Sequence, residues 1–398
     1  MAPRYDVAII GGGHNGLVAA AYIAVNWLEP VVLESRDVVG SAAVSEHPFG
    51  PGYTVSMLSY VVSLLPPSLV RELGLGKHGY HVYPQGPYFA HGQSAMWGFP
   101  RGGMGGNTSA VASAARGFGA EIRTGAPVAR ITHRGQEPRV TGVVLESGEE
   151  IEAPVVVTTA HPAISFLRLL DPAALPADFV EDIRRWKTRS GTVKINCAVD
   201  RLPTFTSHPD HDPDVYGGTI ELAESLDDIE TAFQEAVNGD AAQEPFADIC
   251  IPSVFDDSLA PPGHHIVSMF TQWVPHTWSE QPHTRELDAY ADRVFARMDE
   301  VAPGFSDSVV GRVVIGPHRM EHEYGLVGGN IFHGELTPAQ LFHARPAAGY
   351  ADLRTPVLGL YQAGSATHGG GGVTGIPGRN VVRQILHDRR ASRWRRRS

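Results

Sequence analysis

Three stretches of the sequence place residue types at spacings that can do chemistry. In residues 5–34, YDVAIIGGGHNGLVAAAYIAVNWLEPVVLE, a strand-like run from Asp6 to Ile10 enters Gly11-x-Gly13-x-x-Gly16, followed by an alanine-rich segment to about Ala24. A second apolar run, Val31 to Leu33, stops on Glu34. Gly11 permits a tight turn, Gly13 lets the backbone approach a pyrophosphate, and Gly16 lets a helix pack closely on a strand. His14 and Asn15 fall in the first turn of that helix, whose free N–H groups and positive dipole end suit phosphate oxygens. Glu34, 18 residues beyond Gly16, suits ribose hydroxyls. Strand, glycines, helix, strand and acid in this order predict a dinucleotide site. A tight βα turn without a ligand is the plainer alternative.

The second stretch, THGGGGVTGIPGRNVV at 367–382, follows the apolar run VLGLYQAG and precedes a helical segment expected from Arg379 to about His387. It therefore reads as another strand–loop–helix device rather than a linker. Gly371, Gly372, Val373 and Thr374 are expected to lie against a ligand, and Pro377-Gly378 to turn the chain into the helix. The third stretch, HRMEHEYGLVGGNIFHGE at 318–335, holds His318, Glu321, His322, Glu323, His333 and Glu335. His318 and His322 share a helix face, but no convincing third ligand stands near them and Gly328-Gly329 follows, so no metal site is expected.

The elements that must hold these stretches follow from patterning. The 398 residues allow about two domains, and 42% apolar with 19% charged residues is ordinary for a globular protein. Cys197 and Cys250 form no CxxC pair, which argues against a disulfide framework, a zinc ribbon or a dithiol enzyme. No apolar run is long enough to span a bilayer, and MAPRYDVAII leaves no room for a signal peptide, so a cytoplasmic location is expected. The net charge is −11, yet RRASRWRRRS at the end carries six arginines, leaving the rest near −17. That acidic body argues against a nucleic-acid partner. The tail, 391–398, is expected to be a disordered basic end, with peripheral membrane contact through Trp394 as the other reading. VKINCAVD and HIVSMFTQWV read as strands, and SLDDIETAFQEAV and TRELDAYADRVFARMDEV as amphipathic helices.

The blocks GGGHNGLVAAAYIA, VVLESRDVVGSAAVSE, PGYTVSMLSYVVSLLPPSLVRELGL, RGGMG, GLVGGNIFHGELTPAQLF, RPAAGYADLRTPVLGLY and GSATHGGGGVTGIPGRN run along nearly the whole chain. Together they resemble the phytoene desaturase-like oxidoreductases of the flavin amine oxidase superfamily, in the branch that holds carotenoid ketolases. The resemblance implies FAD as cofactor, bound by separate parts of the chain. Gly11, Gly13 and Gly16 would take the pyrophosphate and Glu34 the adenosine ribose. Ser35, Gly40, Ser41 and Ala42 would make a second close backbone approach. Val128 would read the adenine through its backbone, with Ala160 beside the same half of the ligand. Gly364 and Ser365 stand where relatives often carry an acid, and Gly371 to Thr374 would meet the pyrimidine side of the flavin. His333, in a block shared with the relatives, and His368, before the glycine loop, are the candidates for proton transfer, beside the plainer role of satisfying loop backbone.

The implied fold class is α/β, a Rossmann-like FAD-binding domain, discontinuous in sequence, with an inserted α+β substrate domain. The FAD-binding pieces are expected at 1–60, 100–165 and 340–390, and the cap at 61–99 and 166–339. One departure stands out: relatives carry a long helical segment between the PYF block and the RGGMG block, which PYFAHGQSAMWGFPRGGMG joins almost directly. A long polyene substrate is therefore not carried over with the cofactor. The expected function is FAD-dependent oxidation of a hydrophobic organic substrate, polyene-like or smaller, with oxygen or a quinone as acceptor. Cover of the site by a second copy of the chain is one consequence to expect of the shortening. A flavin-binding scaffold without turnover is the alternative that the shortening motivates, and an NAD-dependent dehydrogenase the third.

Overall fold

A computed structural model describes residues 2–85, 97–210, 213–369 and 371–395 of the chain. The apolar runs of the first motif become β1 (Val7–Ile10) and β2 (Pro30–Leu33), joined by α1 (His14–Val25). Every residue of both strands is buried, as continuous apolar runs require when a sheet is covered on both faces. Pro30 opens its strand, where a missing N–H is tolerated. With β3 (Glu121–Arg123), β7 (Val156–Thr158) and β13 (Leu360–Gln362) they form a five-stranded parallel sheet in the order β13-β7-β1-β2-β3.

One face of this sheet is covered by α1, α2 (Gly103–Gly117) and α6 (Ile376–Arg395), whose Leu17, Ile23, Val111, Ala115, Val381 and Ile385 share one core. The other face meets a small antiparallel sheet of β4 (Val128–Arg134), β5 (Arg139–Leu145) and β6 (Glu150–Glu152), together with Phe166 and Phe179. The segment 61–99, grouped with the cap in the sequence reading, sends Leu65, Leu69, Leu73 and Leu75 into the core around α1. Residues 86–96, where the shortening falls, lie outside the described residues, as do 396–398 and the side chain of Trp394.

Trp27, in the turn between α1 and β2, is 94% exposed, with φ +60°. Its left-handed backbone does what a helix-ending glycine would do, its N–H donating to the Ala24 carbonyl, while the ring points outward. Helix α2 starts at Gly103, so most of RGGMGG lies inside it. The last helix starts at Ile376 rather than Arg379 and continues through residues 391–395 of the tail. Pro377-Gly378 is thus its first turn. Gly378 is needed there for another reason: a Cβ would sit 2.2 Å from the Asn15 carbonyl oxygen of α1.

The inserted region is a second sheet, antiparallel, of β8 (Thr192–Val199), β9 (Ile220–Leu222), β10 (Phe246–Cys250), β11 (His265–Gln272) and β12 (Val309–Ile315), in the order β9-β10-β11-β8-β12. Helices α3 (Leu226–Val237) and α4 (Thr284–Val301) cover its outer face, where Val193, Ile195 and Cys197 pack with Ala232, Tyr290, Val294 and Met298. Alternation along β8 sends Thr192, Lys194 and Asn196 to the opposite face, toward the parallel sheet. Helix α5 (Pro317–Tyr324) follows β12 and ends on Gly325, φ +71°. No described helix is long and apolar enough to cross a membrane.

Candidate cofactor site and active site

The Gly11 turn lies at the C-terminal end of β1 with φ +100°, and its missing Cβ would stand 2.5 Å from Thr159 Oγ1. Gly16 carries the helix against the strand: a Cβ there would be 2.1 Å from the Gly11 carbonyl oxygen. Gly13 caps α1 without any side-chain hydrogen bond, and no acid occupies the first turn. The positive end of the helix is therefore left for an anion. Glu34, buried, accepts from the Gly12 N–H at 2.6 Å and the Arg36 N–H at 2.9 Å, which fixes its carboxylate at the tip of β2. Gly40 brings the next loop alongside, its N–H donating to the Gly12 carbonyl at 3.0 Å, with φ +127°.

These parts open into a single cavity of about 880 Å³ that runs from the parallel sheet to the inner face of the cap. Gly11, Gly13, His14, Asn15, Glu34, Ser35, Ser41 and Ala42 line one end. Val128 and Ala160 line it beside Arg36, which pairs with Glu46 at 2.5 Å and lies 4.7 Å from the Tyr324 ring centroid. Gly372, Val373, Ser365 and His333 line it further along.

Five predicted residues stand behind the wall rather than in it. Gly16 and Gly40 serve packing, as does Gly364, where a Cβ would meet the Thr159 carbonyl oxygen at 2.5 Å. Gly371, φ +94°, backs onto Phe332. The hydroxyl of Thr374 accepts from the Ile376 N–H at 3.1 Å, so it starts α6 instead of facing the ligand. His368 is also away from the cavity: it is exposed, its ring 6.4 Å from that of Phe342. His318 and His322 stack at 3.9 Å on α5, and among the described residues no group of three ligands could hold a metal ion.

Around the glycine loop the histidines are buried and neutral. Burial pulls His14 down to about 4, its ring lying against the Gly372 backbone. Burial, helped by His14 and Arg345, pulls His333 down to about 4. His161, 5.8 Å from His333 ring to ring, is pushed well below the ordinary histidine range by burial first and His333 second. Arg345, 2% exposed, is lowered by burial to about 10 and still charged at neutral pH. It donates to the carbonyls of Gln340, Phe332 and Ser365, tying the His333 segment to the end of β13. Trp186 Nε1 donates to the His333 carbonyl at 2.8 Å and holds the same segment from the other side.

The far wall is the inner face of the cap. Asp248, Phe270 and Lys194 stand in register across β10, β11 and β8, and all three reach the cavity. Lys194 Nζ donates to Ser268 Oγ at 2.5 Å and lies 4.5 Å from the Tyr60 ring centroid. Ser268 Oγ donates to Asn196 Oδ1 at 3.1 Å, and Asn196 Nδ2 to the Met57 carbonyl at 3.1 Å. Burial lowers Lys194 to about 7 and raises Asp248 and Tyr60.

Lys194, Asp248, Tyr60, Arg345, His161 and Arg36 were missed as site residues. For Lys194 a signal was available: in TVKINCAV the polar Thr192, Lys194 and Asn196 alternate with Val193, Ile195 and Cys197. A strand whose polar face is buried needs a cavity or a polar layer opposite it. Arg345, alone before Pro346, carried none.

The cavity fits FAD on its own evidence. His14 Nε2, Asn15 Oδ1, Arg36 Nη1 and His333 Nδ1 are buried without protein partners, and all four residues line it. A ligand with phosphates, ribose hydroxyls and a heteroaromatic edge supplies what these atoms lack. The comparisons with known proteins agree. Residues 77–378 match the flavin containing amine oxidoreductase family, and residues 9–68 the NAD(P)-binding Rossmann-like domain. The rat pyridine nucleotide-disulfide oxidoreductase domain-containing protein 2 is 30% identical, with 97% of this chain and 94% of that protein covered. That alignment runs over 551 positions, more than this chain's length, so the relative carries segments absent here. The zeta-carotene-forming phytoene desaturase of Myxococcus xanthus is 30% identical over 74% of this chain and 52% of its own. An oxidoreductase from Methanosarcina mazei shares the fold, with a TM-score of 0.63 at 15% identity over 96% of this chain and 99% of that one. The chain belongs to the flavin-containing amine oxidoreductase family and is an FAD-dependent oxidoreductase of the phytoene desaturase-like kind.

Proposed function

We propose that the chain oxidises an organic substrate, apolar along most of its length, by hydride transfer to FAD, the electrons then passing to oxygen or a quinone. The observation that carries this reading is the single cavity joining the phosphate-binding start of α1 to the inner face of the cap. FAD, once bound, supplies the hydride acceptor, and the protein supplies placement, dryness and electrostatics. The start of α1, with Gly11, Gly13, His14 and Asn15, would hold the pyrophosphate, and Glu34 the ribose. Val128 and Ala160 would flank the adenine half, and Gly372 and Val373 the flavin half. Leu58, Val61, Leu64, Ile331 and Phe332 on the cavity wall seat an apolar substrate and exclude water. His333, kept neutral by its burial, offers a hydrogen-bonding nitrogen rather than a charge. His368, outside the cavity, is left without a part in proton transfer.

The test is to reconstitute the purified chain with FAD, record its absorbance, photoreduce it without air, and then add oxygen or a soluble quinone. Stoichiometric flavin that reoxidises with one of them is the expected outcome. A chain that takes up no flavin overturns the reading.

A further inference from the structure

We propose that the outer face of the cap, along α3, is a docking surface for the arginine-rich end of α6 in a second copy of the chain. The inference uses none of the cavity residues and goes beyond the oxidation read there.

Helix α3 turns its small residues inward and its large ones out. It rests on the cap core through Ala232 and Ala236, while Leu226, Phe233 and Val237 are 82%, 39% and 61% exposed. With the partly buried Ile229 they follow i, i+3, i+7 and i+11, so they share one face of the helix. The Phe233 ring extends that face towards Trp273, whose ring centroid is 5.3 Å away. Single apolar residues on a surface need no explanation, but a contiguous face marks a contact.

The charges around the stripe say what that contact must carry. Residues 202–284 hold fifteen Asp and Glu and neither Lys nor Arg. Asp227 and Glu230 stand along the stripe on α3, and among the described residues neither has a Lys or Arg partner within 4.0 Å. Glu230 accepts instead from the neutral Gln234 amide at 2.8 Å. Packing α3 on the α3 of another copy would set these carboxylates against one another. The face therefore calls for a cationic segment that also brings apolar surface.

The chain carries such a segment. Residues 389–398 hold six arginines, Trp394 and no acid. Arginine suits both parts of the surface: the guanidinium pairs with carboxylates and stacks on aromatic rings, and the hydrocarbon stem covers apolar side chains. The end of α6 does not meet α3 of its own copy. Arg389 Nη2 lies 3.7 Å from Asp6 Oδ1, just before β1, so the last turns of α6 sit at the N-terminal end of the parallel strands. The cavity opens from the other end of those strands, and the cap sheet stands between it and α3. Cation and acceptor are at opposite ends of one molecule. Two copies side by side and antiparallel satisfy both contacts at once, which closes the assembly as a two-fold dimer.

Sedimentation velocity on the full chain with FAD added tests this. A dimer is expected at about 50 µM protein in low salt, dissociating as salt rises to about 0.5 M, because exposed pairs are screened. Asp227→Arg with Glu230→Arg should weaken the dimer about tenfold or more, since each change acts in both contacts. Arg393→Glu with Arg395→Glu should do the same, and all four changes in one chain should restore the dimer. A monomeric wild type, a dimer indifferent to both pairs of changes, or a fourfold variant that stays monomeric would each overturn the contact. So would a monomer that binds phosphatidylserine vesicles through the arginines, which would assign them to a membrane. The wild-type salt series stands whichever variants fold. None of the changed residues lines the cavity, so flavin absorbance should be the same in all of them. A chain that holds no FAD sinks the proposed function while the sedimentation result can still be read.

Discussion

The two walls of the cavity obtain their polarity in opposite ways. On the parallel-sheet side the polar groups are largely backbone: the uncapped start of α1, and loops brought close by glycines at φ +100°, +127° and +71°. On the cap side they are side chains: Lys194, Asn196, Ser268 and Thr192, on strands that also carry buried apolar residues. Backbone polarity is there whatever the side chains are, provided nothing blocks the approach, so its requirement is negative: no Cβ. Side-chain polarity must be supplied residue by residue and then buried at a cost. The first wall suits a cofactor of fixed shape, while the second can be varied one side chain at a time.

Four substitutions probe that contrast, in falling order of effect. Gly372→Val puts a β-branched residue at φ +71°, with its Cβ 2.6 Å from Leu64 Cδ1, at a cavity-lining position. Flavin absorbance of the purified protein should vanish while far-ultraviolet circular dichroism is kept; retained flavin would place the cofactor elsewhere. Lys194→Met removes the costly charge of the other wall. The folded lysine sits near 7 against an ordinary 10.5, so the unfolded chain binds the extra proton between those values and wild-type stability rises with pH across that window. The rise amounts to on the order of 4 kcal/mol, and denaturant titrations from pH 7 to 10 should show it flattened in the variant. An unchanged slope would mean the ammonium is not buried.

His333→Asn keeps a residue tolerant of φ +57° and removes a group held near 4 against an ordinary 6.5. Because the unfolded histidine protonates first, wild type loses stability as pH falls from 6.5 towards 4. The variant should lose less, by roughly 2 kcal/mol at pH 4.5, in melts followed across that range. Ser225→Ala, on the outer side of the cap, breaks a reciprocal cap in which Ser225 Oγ accepts from the Asp228 N–H and Asp228 Oδ2 from the Ser225 N–H. It should cost about 1 kcal/mol and leave flavin content unchanged; loss of flavin would show that the two walls are coupled through the cap core.

Legibility in the sequence followed the same division. Glycines with positive φ announce themselves, because few other residues serve there, and the order strand–glycines–helix–acid placed β1, α1, β2 and Glu34 to within a residue or two. The cap helices α3 and α4 and strands β8 and β11 were readable from their periods. The polar face of β8 was visible in TVKINCAV but lacked a partner in the sequence, because what opposes it is Tyr60 and Met57, more than a hundred residues away. The role of Gly378 was misread for a related reason. A glycine after proline looks like a turn, and only the crossing of α6 over α1 at Asn15 shows that it is there for contact. Trp27 has no legible pattern at all, since its backbone rather than its side chain is what the turn uses.

That crossing has a consequence for synthesis. β1 is made first, yet β13, its second neighbour in the sheet, begins at residue 360, and the loop and helix that close over Asn15 come later still. A ribosome holding a partial chain therefore displays the glycine motif and the first helix without the strand, loop or helix that complete the pocket. Flavin capture belongs to the released chain, so the nascent protein must stay out of trouble without its ligand while most of its length emerges. Pairing the first strands of a sheet with the last is also a slow, long-range step.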